Sequence, residues 1–181
     1  MQKITFLLLV LIISFLSSVP LFAQWMKFEQ VIVSFKIKNA GINVDGRFGN
    51  AKGSGKFDEK DLSKSYFLGV VEPHSVQTGI KMRDKHLKEK TEFFDVQKFP
   101  SIEMKSVKIE LESAQQYRVT WDLTMKGIAL RFKSSMTAVQ ENGKLILQTT
   151  FKLNRKEWKV GGNSITMSDV VSVQLRAVMT K

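Results

Sequence analysis

The chain has two imidazoles, His74 and His86, and only His86 has neighbours that suggest a general base or a metal ligand. It stands in the run Arg83-Asp84-Lys85-His86-Leu87. Asp84 lies two residues away, so on a helix it points to a different face from His86. Packing or capping of a short helix is the expected role of His86, while Arg83 and Asp84 are expected to tie that helix to its neighbour. Cysteine is absent, which removes thiolate nucleophiles, thiolate ligands and disulfides together. Gly53-Ser54-Gly55 comes nearest to a phosphate loop or a nucleophile elbow, but no helix follows it. From these residues no cofactor, no metal and no catalytic step is expected.

The elements around them alternate with period two from Val31 onward. Val31, Val33, Phe35 and Ile37 share one face against Ile32, Ser34, Lys36 and Lys38. Ile42, Val44, Gly46 and Phe48 repeat the pattern, as do Ala51, Gly53, Gly55 and Phe57. A further strand is expected over 66–71 and a short exposed helix over 81–90. Phe93, Phe94, Val96 and Phe99 then make an aromatic turn. The apolar parity switches between Met104 and Val107, which predicts a β-bulge. Runs over 117–125, 128–138, 145–153 and 171–179 complete the pattern, with turns at Lys126-Gly127 and Asn142-Gly143. Eight or nine strands and one short helix result. A closed or nearly closed antiparallel barrel satisfies all of them, although a two-sheet sandwich has the same periodicity.

Residues 1–23 have the layout of a secretory leader: Lys3, an apolar run over 4–15, then Ser17, Ser18, Pro20 and Ala23. Cleavage after Ala23 is expected, leaving 24–181 as one domain in the periplasm or outside the cell. An uncleaved anchor is the alternative, because 4–22 is nearly long enough to span a bilayer. The net charge of +11 invites a nucleic-acid or anionic-surface reading. Yet the cations are scattered along alternating strands, as with Lys36 and Lys38, Lys105 and Lys108, and Arg131 and Lys133. A solvated outer face is expected. Nucleic acid is not an expected partner, and contact with an anionic membrane surface is expected to be weak.

Several motifs taken together resemble the YceI-like family. They are Thr78, RDKHL at 83–87, FFDV at 93–96, KFPSI at 98–102, LTMKGIAL at 123–130 and FKLNRKEWKVGG at 151–162, with SFKIKNAGINVDGRF at 34–48. The chain departs from the family pattern at Asn39, where many members have a His, and at Glu157-Trp158-Lys159-Val160-Gly161, where an aromatic-Gly pair is common. The resemblance implies an all-β fold, an antiparallel eight-stranded lipocalin-like barrel with one short helix. It also implies an exported protein that binds polyisoprenoid or similar long-chain lipids.

The apolar parity supplies a candidate lipid-binding lining: Phe35, Ile37, Val44, Phe48, Val119, Trp121, Leu123, Phe132, Met136, Leu147 and Phe151. Almost no ionisable residue shares that face, so a hydrocarbon chain, isoprenoid or fatty-acid-like, is the ligand it suits. Each of these side chains could equally be ordinary core. Gly46, Gly53 and Gly55 share the inward parity, where glycine either lets strands coil tightly or leaves cavity space. Two other functions stay open: a basic outer face that binds anionic envelope components, and an enzyme site at the barrel mouth around His86 and Asp84.

Overall fold

The computed structural model describes residues 26–181; the expected leader at 1–23 lies outside the described residues. The alternating runs become β1 (Lys27–Asn39), β2 (Ile42–Phe48), β3 (Ala51–Lys56), β4 (Tyr66–Val71), β6 (Ile102–Ser113), β7 (Gln116–Met125), β8 (Ile128–Glu141), β9 (Lys144–Asn154) and β10 (Met167–Thr180), joined by a two-residue β5 (Val76–Gln77). One α-helix, α1 (Lys81–Glu89), is present among the described residues. Ten strands thus correct the expected count of eight. Two residues are too few to show a period, so β5 left no signal in the sequence.

All ten strands lie in one antiparallel sheet, ordered β3-β4-β6-β7-β8-β9-β10-β1-β2-β5. The sheet curls into a half-barrel because β1 has two kinds of neighbour on one side. Its second half, from Val33 to Asn39, pairs with β2. Its first half lies against β3 without ladder pairs among the described residues. The bulge falls where the parity predicted it: the β6–β7 register shifts between Ser106 and Lys108, leaving Val107 out of the ladder and 46% exposed. Lys126-Gly127 and Asn142-Gly143 both take positive φ at their two turn positions, the geometry that matches a tight hairpin to the twist of its strands.

One end of the half-barrel is solid. Phe57 meets Tyr117 edge-on at 5.2 Å and stacks with Phe67 at 6.0 Å, and Phe67 tilts against Trp121 at 6.3 Å. Leu145 and Met179 fill in beside them, both essentially inaccessible. The opposite end carries the β1–β2 turn, α1 with the turn that follows it, the β7–β8 turn and the β9–β10 connection. These loops are knitted together: Ala40 N–H donates to Thr166 O, and Lys126 Nζ donates to Thr91 O and Lys159 O.

The inward glycines are occupied, not empty. A Cβ at Gly46 would lie 2.2 Å from the Phe35 ring, and one at Gly53 would lie 2.7 Å from the Phe28 ring. At Gly55 the obstacle is backbone, Tyr66 O at 2.3 Å, so Gly55 marks close strand packing and gives no space to a ligand. On the outer face, cations pair with carboxylates: Lys36 with Asp45 at 3.3 Å, Arg131 with Asp122 through two hydrogen bonds, Lys108 with Glu110 and Arg118 with Glu112.

Two measurements test these packing and charge assignments. Gly55→Ala is expected to lower stability by about 1–3 kcal/mol through overpacking, whereas Gly69→Ala, which meets nothing nearer than Met104 O at 3.9 Å, is expected to be near neutral; urea melts compare the two. Hydrogen bonds from Lys64, Lys108, Arg118 and Arg131 hold the carboxyls of Asp61, Glu110, Glu112 and Asp122 below their usual range, Asp61 down to about 2. Folded-state values below the unfolded ones stabilise fully above the ordinary carboxylate range and lose that contribution as pH falls through the lowered values. Thermal melts in acid should therefore decline gently, and less so at high salt, because every pair is solvent-exposed.

Candidate functional site

Above the aromatic end the half-barrel is hollow. The cavity measures about 510 Å3, within the roughly 300–1,000 Å3 range of small-molecule sites. Its walls come from strands on both sides of the half-barrel: Val31, Val33, Phe35 and Ile37 on β1, Val44 and Phe48 on β2, Phe151 and Leu153 on β9, and Val171, Val173 and Leu175 on β10, with Gly69 and Val71 of β4, Ile102 and Met104 of β6, and Leu123 and Met125 of β7. The helix closes a side that the sheet leaves unpaired. Met82 and His86, and Arg83 and Leu87, recur at four-residue spacing, so α1 turns one face to the cavity. Polar lining is sparse: Asn39, Lys52, Thr78, Arg83, His86 and Arg155.

Of the predicted lining, the structure brings Phe35, Ile37, Val44, Phe48, Leu123 and Phe151 together around this space. The other five lie outside it. Trp121, Met136 and Leu147 surround a separate void of about 40 Å3 nearer the solid end. Val119 is completely buried core. Phe132 stands behind Phe151, with ring centroids 4.8 Å apart. Parity assigned all five to the correct face of the sheet, but it carries no information on their height along the barrel.

Charged side chains shape the mouth. Asp84 accepts from Thr78 N–H at 2.8 Å and from the Thr78 hydroxyl; Arg83 donates from Nε to Thr78 Oγ1 at 2.7 Å and from a terminal nitrogen to Thr78 O at 2.6 Å. The expected tie between helix and rim is therefore made through Thr78. His86 is exposed at the cavity edge instead of packed, and Glu89, one turn further on, faces Lys85 at 3.9 Å. Among the described residues, no group of three or more His, Asp or Glu is placed to hold a metal. Burial pushes the Lys126 ammonium below its usual range, against the opposing pull of Asp95 and Glu92.

Sequence reasoning missed Arg155. It is 3% exposed, and its guanidinium donates to the carbonyls of Ser168, Val160, Gly162, Ser164 and Met167 and to Asp169. One side chain thereby fixes the whole β9–β10 connection. Alternation and charge did not distinguish Arg155 from other basic residues; only its place in the FKLNRKEWKVGG motif set it apart. For the helix residues a signal did exist, the four-residue spacing of 82, 83, 86 and 87.

The family model described as the YceI-like domain matches residues 27–179. A UPF0312 protein of Yersinia enterocolitica is 35% identical over 101 residues, covering 55% of this chain and 52% of that protein. Another from Vibrio parahaemolyticus is 32% identical over 97 residues, covering 53% and 51%. The chain spans about half the length of the curated relatives it matches. Among solved structures, Burkholderia cenocepacia BcnA has a TM-score of 0.78 at 22% identity over 83% of this chain and 96% of that one. A polyisoprenoid binding domain from Saccharophagus degradans has a TM-score of 0.66 at 13% identity, over 88% and 98%. At such identities the likeness is one of fold.

Removal of the buried guanidinium would leave several carbonyls of the mouth without a donor, at about 1–3 kcal/mol for each that stays buried. Arg155→Ala is therefore expected to destabilise by about 3 kcal/mol or more, and Arg155→Lys to restore little, because an ammonium cannot reproduce the planar fork. Denaturant unfolding of both variants measures this, and near-wild-type stability of the Lys variant would contradict the fork.

Proposed function

Since the chain belongs to the YceI-like family, whose matched span covers nearly all of the described half-barrel, we propose that it is a non-catalytic lipid-binding protein carrying or sequestering a long-chain isoprenoid or similar amphiphile. The observation that supports this reading most is the division of the interior into a packed aromatic end and a hollow of about 510 Å3 walled by aliphatic and aromatic side chains. Such a wall offers a head group few partners and a hydrocarbon chain many. Burial of each methylene contributes about 0.8 kcal/mol, so about ten of them offset much of an association cost of roughly 4–15 kcal/mol. The described fold matches that of the polyisoprenoid binding domain, and the isoprenoid identity of the ligand is proposed on that basis. Export, with loss of residues 1–23, belongs to the same proposal.

The occupant also matters to stability. At about 24 cal/mol per Å3 for unfilled apolar volume, a dry space of 510 Å3 would cost on the order of 12 kcal/mol, comparable to the whole stability of an ordinary domain. Water entering at the mouth reduces that figure, and a bound chain removes it.

Native mass spectrometry of protein purified without detergent from the extracytoplasmic fraction reads the leader and the ligand together. The expected species starts near Gln24, carries a non-covalent adduct that organic extraction releases as a long-chain amphiphile, and melts at lower temperature once delipidated. Val173, flanked in register by Phe35 and Phe151, sits in the cavity wall. Val173→Trp should fold yet retain about tenfold less lipid, the loss of roughly 1.4 kcal/mol or more of binding. A folded wild-type protein with no extractable amphiphile, or a Val173→Trp variant with a full load, would overturn the proposal.

A further inference from the structure

The rim of the cavity extends into an apolar surface exposed to solvent. Four large apolar side chains stand in solvent there, from three separate segments: Ile42 beside the β1–β2 turn is 71% exposed, Ile80 and Met82 at the start of α1 are 53% and 64% exposed, and Ile165 in the β9–β10 connection is 100% exposed. They share one end of the molecule. Ile42 pairs with Asn39, a cavity residue that also pairs with Met167, and Ala40 N–H bonds to Thr166 O next to Ile165. Ile80, just before α1, and Met82, in its first turn, line the same cavity.

Cations surround these side chains. Lys38, Lys81, Lys88 and Lys159 have no ion-pair partner among the described residues, while the carboxylates of this end are largely committed. Asp45 holds Lys36, Glu89 holds Lys85, Glu92 holds Lys90, Asp169 holds Lys156 and Arg155, and Asp84 holds Thr78. Exposed apolar tips flanked by uncompensated ammonium groups fit the interface of an anionic bilayer, where the tips enter the headgroup boundary and the lysines face lipid phosphates.

We propose that the protein docks mouth-first on an anionic lipid surface through Ile42, Ile80, Met82 and Ile165, with Lys38, Lys81 and Lys159 as its electrostatic contacts. The docking rests on the lipid-binding reading for its purpose, since it sets the open end of the cavity against the phase from which a chain would enter. Its geometry does not depend on what the cavity holds.

Sedimentation with vesicles tests the proposal, using phosphatidylglycerol mixed into phosphatidylcholine against phosphatidylcholine alone. The full chain lacking residues 1–23 should sediment with the anionic vesicles and much less with the neutral ones, and added salt should release it. Ile42→Asp with Ile165→Asp should abolish association. Lys81→Gln with Lys159→Gln should weaken it by about 25-fold, taking about fivefold for each lysine charge lost near the surface. Leu111→Asp, which changes an exposed apolar side chain of β6 away from the mouth, should bind as the wild type does. Melting curves confirm that each variant folds. Equal association of all variants, equal binding to neutral and anionic vesicles, or no binding to either would overturn the proposal. So would a self-associated wild type that the Ile variants turn into monomers without vesicle binding, because a second copy would then cover the mouth. Neither isoleucine lines the cavity, so extractable lipid should persist in the Ile42/Ile165 variant. Absence of lipid from every sample would count against the carrier reading and leave the docking result standing.

Discussion

Phe57, Phe67, Tyr117 and Trp121 form a chain of ring contacts at 5.2–6.3 Å, and the hollow part of the molecule depends on it. A curled sheet with an unfilled interior lacks the close packing that normally holds opposite walls together. Here the cross-lumen contact is concentrated at one end. Each fully buried ring contributes about 1.5–3 kcal/mol in transfer alone, with about 0.5–1.5 kcal/mol more for each favourable aromatic pair. Burial of Tyr117 raises its hydroxyl pKa, with Glu59 adding to the shift; this polar tip lies at the closed end, not at the mouth. Stability at the closed end thus leaves the open end free to be hollow.

The open end requires a further kind of rigidity, because an apolar plug like that of the closed end would fill the cavity. Polar anchors add to the apolar contacts that Phe94, Trp158 and Val160 make there. Arg155 fixes the β9–β10 connection from within, the Thr78–Arg83–Asp84 network fixes the start of α1, and Lys126 joins the β7–β8 turn to the segments around Thr91 and Lys159. Trp158 adds a buried hydrogen bond from its indole to Leu123 O, at 3.2 Å. Buried networks of this kind specify one geometry when every member is satisfied, and no buried side-chain nitrogen or oxygen among the described residues lacks a partner.

Strand faces were legible in the sequence because a strand shows alternation directly. Val31, Val33, Phe35 and Ile37 lie on the wall they were assigned to, and the parity switch before Val107 located the bulge. Height along the barrel was not legible. Trp121 and Leu123 share a strand, a face and an apolar character, yet one belongs to the plug and the other to the cavity wall. That difference depends on which loops close which end, and period two carries no such information. Arg155 was hidden for a related reason: its burial is created by a loop that returns ten residues later, whereas its local sequence is that of any basic turn. The motifs carrying the family resemblance fell mainly at the mouth, where RDKHL and NRKEW prove to be its polar anchors.

The inward glycines reconcile two readings that the sequence had set against each other, strand coiling and cavity space. Gly46 lies opposite Phe35 in the β1–β2 register, with the ring occupying the volume a Cβ would claim. A side chain at 46 would push that ring out of the wall and across the lumen. Gly53 holds the Phe28 ring in the same way where β3 meets β1, the seam that has no ladder pairs among the described residues. Gly46 and Gly53 therefore do not form the cavity by leaving gaps of their own. Each lets a large apolar side chain lie flat against the wall, which seals the sheet, keeps the lining aromatic and leaves the middle of the half-barrel open.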